Sequence, residues 1–137
     1  MKLLFATVAV AWVTATGGAG AGVVRSCGTL TVGPTAIKTG GAGAGAPCML
    51  AAFERCDAAR YSLSSFGVDT IATTAFSIAK RGTGCSVSVA RTFEVVPQRP
   101  RPSAGGTCAA IARRAGDIVA TGCRGPGLAE AISLTGK

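Results

Sequence analysis

The sequence predicts a small α+β domain: an antiparallel sheet of four to five strands with one or two short helices on one face, stapled by disulfides. Three observations carry that expectation. Runs of alternating apolar and polar residues are joined by short glycine-bearing turns, the pattern of antiparallel strands with one wet face. Two short stretches place apolar residues at helical spacing. Cys27, Cys48, Cys56, Cys85, Cys108 and Cys123 form an even set behind a secretory-type leader, which reads as a disulfide framework.

The leader is expected over residues 1–21. Lys2 gives it a basic start and residues 3–13 are apolar. Val13-Thr14-Ala15 and Ala19-Gly20-Ala21 both offer small residues at the spacing of a cleavage site. The apolar stretch is too short for a membrane-spanning helix, which needs about 20 residues. No later segment reaches that length without a charge, so no transmembrane span is expected after the leader.

Residues 22–46 read as a Gly/Ala-rich tether. The hexamer GGAGAG occurs at 17–22 and again at 40–45, with no side chains able to build a core. Between the copies, 29–37 is β-prone but interrupted by Gly33-Pro34, so it reads as an edge strand at best. Val24-Arg25-Ser26-Cys27-Gly28 resembles a bacterial lipobox, although Arg25 departs from the pattern. Lipidation of Cys27 is therefore the alternative to a bridge there, and it would leave an odd number of thiols.

The single folded domain is expected over 47–137. Pro47 suits a first helical turn, and Met49, Ala52, Phe53 and Cys56 share a face, which predicts a helix over 47–58. Strands follow at 60–66 and 70–80, separated by a turn at Gly67-Val68-Asp69. Gly82 and Gly84 mark a hairpin turn into a strand over 85–96. There Cys85, Val87, Val89, Phe93 and Val95 face one way, with Ser86, Ser88, Thr92 and Glu94 opposite. Arg91 interrupts the apolar face, which predicts a bulge or an arginine whose stem packs while its head reaches water.

Pro97, Pro100 and Pro102 predict an extended, exposed, basic segment outside any sheet. Residues 103–106 read as loop. Thr107 is placed as the N-cap of a second helix over 108–115, with Cys108, Ile111, Ala112 and Ala115 inward and Gly116 ending it. Residues 118–121 read as strand, 122–127 as turn and 128–134 as a last short strand.

Aromatic residues make up only 5% of the chain, so the core is thin and the disulfides carry part of the stability. Cys48 and Cys56 stand roughly 12 Å apart along one helix. They cannot bridge each other, because a disulfide needs Cα atoms within about 7 Å. The favoured set is Cys27–Cys48, Cys56–Cys85 and Cys108–Cys123.

The chain has no histidine, which removes the commonest general base and metal ligand. The cysteines lack the paired x2–4 spacing of structural zinc, so neither a metal nor a cofactor is expected. No catalytic residue is assigned. Glu54, Asp57, Asp69, Glu94, Asp117 and Glu130 could supply a carboxylate pair for a wall-polymer hydrolase, but each fits an exposed face or a turn. Ser77 and Lys80 have the spacing of a Ser-x-x-Lys motif but face opposite ways on a strand.

The formal net charge is +8. Lys80, Arg81, Arg99, Arg101, Arg113, Arg114 and Arg124 are the candidate anion-binding residues. Aromatic residues do not interleave with them, which argues against nucleic acid. The expectation is an exported, non-enzymatic binding module, secreted or at the cell surface. Its partner would be an anionic envelope polymer or another exported protein. A secreted protease inhibitor is the alternative, with Lys80-Arg81-Gly82 beside Cys85, or the Arg-Pro segment, as its exposed loop. In the segment that follows, Arg99 and Arg101 each precede a proline, which resists many proteases.

Overall fold

A computed structural model of the chain describes residues 22–34, 38–39 and 44–137. The expected leader at 1–21 and most of the second GGAGAG copy lie outside the described residues. Nine strands and one helix are present among them: β1 (Arg25–Val32), β2 (Lys38–Thr39), α1 (Gly45–Arg55), β3 (Ala59–Phe66), β4 (Thr70–Arg81), β5 (Gly84–Val95), β6 (Arg101–Cys108), β7 (Ala110–Arg114), β8 (Asp117–Thr121) and β9 (Ala131–Ser133). The α+β class holds, but with far more sheet than the four to five strands expected. A six-stranded sheet runs β2-β1-β3-β4-β5-β6, and a three-stranded sheet runs β7-β8-β9.

Strands β3, β4 and β5 form the antiparallel centre that the alternating sequence predicts. Tyr61, Phe76 and Val89 lie in register across them, as do Ala59, Ile78 and Val87. All six side chains are buried. This inner face packs under α1, whose buried Met49, Leu50 and Ala52 recur at helical spacing. The second sheet adds Ile111, Ile118, Ala120, Ile132 and Leu134 to the same core. The Tyr61 hydroxyl donates to the Leu134 carbonyl at 2.8 Å, pinning the last described segment to the centre of the large sheet.

The folded unit does not begin at Pro47. Strand β1, within the expected tether, pairs in parallel with β3, and Leu30 joins the core opposite Leu63. The parallel pairing requires a crossover, and α1 supplies it. Strand β1 is not an edge either, because the short β2 pairs with its other side. Gly45, the last residue of the second low-complexity hexamer, opens α1 and is buried. A Cβ there would stand 2.3 Å from Cε2 of Tyr61, so only glycine lets the helix start this close to the ring.

The second correction is at 101–115. No helix forms there. Arg101 to Cys108 instead extend the sheet as β6. Pro102 is accommodated because β6 lies at the sheet margin, where a missing N–H need not break a ladder. The Thr107 N–H donates to the Arg124 carbonyl at 3.0 Å, and the Arg124 N–H returns a bond of 2.8 Å, covering part of that margin. Beyond Cys108, β7 and β8 make a tight hairpin in which Arg114 pairs with Asp117. Its two-residue turn holds Ala115 at φ 46° and Gly116 at φ 75°, the left-handed pair that suits strand twist. An eight-residue helix is marginal alone. The hairpin buries Ile111, Ile118 and Ala120 together, and that outweighs the helical spacing of Ile111 and Ala112.

Candidate anion-binding site

The three disulfides are Cys27–Cys48, Cys56–Cys85 and Cys108–Cys123. The first ties β1 to the opening turn of α1. The second ties the helix C-cap, Cys56 in the left-handed conformation, to the start of β5. The third joins the end of β6 to the turn after β8. All six thiols are consumed, so this bridge at Cys27 and a lipid on the same sulfur exclude each other.

These ties fix where the basic residues stand. Lys80 and Arg81 end β4 beside the Gly82-Thr83 turn. Arg124 reaches the same region because its backbone pairs with Thr107 of β6. Arg81 and Arg124, far apart in sequence, thus line one shallow depression with Ser86, Thr107 and Ala109. The Cys108–Cys123 bridge holds the Arg124 side of that depression, and Cys85 lies in its wall. Ser86 Oγ is buried there without a hydrogen-bond partner. The depression combines two guanidinium groups with walls held by two disulfides, through Cys85 and Cys108. Planar, multi-donor guanidinium groups suit carboxylate, sulfate or phosphate oxygens.

The other candidates are not brought there. Arg101 pairs with Phe93 at the opposite end of the sheet, about 30 Å from the Arg81 end at the usual rise per residue. Arg99 lies just before it, outside the strands. Arg113 and Arg114 lie on β7 beside its hairpin turn, both exposed. The basic surface is therefore several separate positions rather than one patch.

The carboxylates are dispersed as well. Asp57 is held by Arg55 at 2.8 Å, with both side chains about half exposed. Glu54 is exposed on α1, Asp69 lies in the β3–β4 turn, and Glu94 is on β5. Asp117 accepts from the Ile118 N–H and the Thr135 hydroxyl. Burial raises its carboxyl, but bonds from Thr135, Ser133 and Ile118 and the nearby Lys137 charge outweigh that and hold it below its ordinary value. Burial pushes the Tyr61 hydroxyl up to about 12. Among the described residues no group of three or more Cys, Asp or Glu is placed to hold a metal.

One charged side chain lies outside the candidate set of the sequence reading. Arg91, noted there only as an anomaly on an apolar face, sits opposite Thr74 in the β4–β5 register and donates to its Oγ1 at 3.2 Å. The expected irregularity is present on the β6 side, where the register shifts between Arg91 and Thr92. Arg91 and Thr74 line a cavity of about 330 Å³ between the large sheet and the last described residues.

No protein-family model matches the chain, and no curated protein or solved structure is detectably similar to it. No helix among the described residues is long and apolar enough to cross a membrane. The three disulfides are compatible with an extracellular or secreted protein.

Proposed function

We propose that the protein is an exported, non-enzymatic binding module that holds an anionic polymer of the cell envelope or its surroundings. The observation that carries this reading is the convergence of Arg81 and Arg124 on one depression. The disulfides at the rim fix the backbone positions of the two arginines, so the order gained on binding is confined to their side chains. The excess of positive charge adds long-range attraction for a polyanion.

The test is binding of polygalacturonate and of dextran sulfate to the oxidised protein at rising salt. Binding should weaken as salt rises, because exposed charges are screened over about 10 Å at 0.1 M. The double variant Arg81→Ala/Arg124→Ala should lose most of the affinity, and Arg113→Ala/Arg114→Ala should lose much less. Equal losses in the two double variants would reduce the interaction to net charge and end the assignment of this site. Absence of binding to both polymers would remove the polyanion reading itself.

A further inference from the structure

A second site lies where the large sheet's inner face runs out from under α1. The cavity there, about 330 Å³, has apolar walls from Val32, Leu63, Ala72 and Ile132. Thr74, 4% exposed, belongs to this cavity. Arg91 stands over it with its Nε committed to Thr74, which leaves its terminal nitrogens to point elsewhere. No carboxylate among the described residues lies within ion-pair distance of Arg91. Lys137 also lines the cavity, but its charge is shared with Asp117. The same inner face continues past Arg91 to Phe93 and Val95, which are 43% and 39% exposed.

Arg91 is itself exposed at this cavity, so its charge is hydrated and free to take an anionic partner. Thr74 fixes its orientation but brings no opposite charge. A ligand that fits must have an apolar body for the walls and one anionic end for the free fork of the guanidinium. At about 30 Å³ per water-sized atom, the cavity admits on the order of ten heavy atoms. We propose that this cavity binds a small amphiphilic carboxylate, of the size of an eight-carbon fatty acid, with its head paired to Arg91. The site is separate from the Arg81–Arg124 depression and does not depend on it.

The experiment is calorimetric titration of the oxidised full chain with octanoate and, separately, with octanol. Octanoate should bind saturably below about 1 mM, and octanol roughly tenfold more weakly, the difference expected for a hydrogen-bonded charge pair. Arg91→Gln should erase that preference, and Arg91→Lys should restore part of it. Ala72→Leu, which fills the cavity and keeps the Arg91 guanidinium, should weaken both ligands. Arg81→Ala/Arg124→Ala should leave octanoate binding unchanged, so failure of polymer binding and failure of this proposal are read separately. Should Arg91→Gln not fold, the octanoate-to-octanol ratio of the unaltered protein decides. Equal affinities, no saturable octanoate binding, or indifference to Ala72→Leu overturns the proposal.

Discussion

The hydroxyl of Tyr61 and the carbonyl of Leu134 meet at 2.8 Å across 73 residues of chain, and both residues are buried. This bond joins the centre of the large sheet to the strand-like end of the small one. Tyr61→Phe removes the donor and leaves a buried carbonyl unsatisfied. The expected loss is about 1–2 kcal/mol in urea unfolding, with the fold intact.

Tyr61 is the only tyrosine in the chain, so its ionisation is directly visible. A folded-state value of about 12 predicts tyrosinate absorbance rising only near that pH. Because this value is above that of an unfolded tyrosine, near 10, the contribution to stability is complete below pH 10. It is lost as pH rises from there through about 12. A midpoint near pH 10 in protein that retains native circular dichroism would contradict the burial of this ring.

Asp117 carries the acid counterpart. Its carboxyl is held below the ordinary carboxylate range, so its contribution is present above that range and disappears as pH falls through the depressed value. Asp117→Asn should flatten the acid limb of a stability-against-pH curve and lower stability at neutral pH. An unchanged acid limb would mean that the Thr135 and Ile118 bonds do not favour the ionised form.

Gly45→Ala places a methyl carbon against the Tyr61 ring. Either the ring or the helix start must move, at about 1–3 kcal/mol, the usual range for overpacking. A neutral result in thermal unfolding would show that α1 can begin one turn later without loss.

Ala115 sits at φ 46° in the β7–β8 turn. A β-carbon is disfavoured there by roughly 1–2 kcal/mol, and asparagine tolerates the conformation better. Ala115→Asn should therefore stabilise the protein, read as a higher midpoint in urea. Destabilisation would count against this turn and restore the case for a helix.

Intact mass before and after reduction checks the covalent frame. Three bridges predict a gain of six hydrogens. Removing Cys56–Cys85 by double alanine substitution should lower stability by about 2–4 kcal/mol.

The sequence made some elements legible and hid others for physical reasons. Strands β3, β4 and β5 could be read because each has one buried and one wet face, so its side chains alternate. Strand β1 was legible only in part, as an edge strand at best, because Gly33-Pro34 and the neighbouring glycine runs mask a strand whose partner is reached only through α1. Strand β6 was hidden by Pro102 and by Gly105-Gly106, which suit a margin strand under a covering segment. The β7–β8 hairpin was misread because Cys108, Ile111, Ala112 and Ala115 satisfy a helical spacing, while the turn geometry at Ala115 leaves no mark in a residue type. At the site, Arg81 and Arg124 carry no sequence signal of their meeting, since it is made by the Thr107–Arg124 ladder. Arg91 did carry one, as a lone charge in an apolar register.

The placement of the bridges has a consequence for survival among proteases. The Lys80-Arg81 turn lies inside the segment closed by Cys56 and Cys85, and Arg113-Arg114 lies inside the one closed by Cys108 and Cys123. A trypsin-like nick at either basic hairpin therefore leaves both halves covalently joined and paired in their sheets. Between Cys85 and Cys108 no bridge spans the chain, and a cut there would release the C-terminal sheet. In that stretch Arg99 and Arg101 are each followed by proline, while Arg91, followed by Thr92, lies within β5 between two paired strands. Scission is thus tolerated at the two basic hairpins, and the exposed arginyl bonds just before β6 are resistant to it.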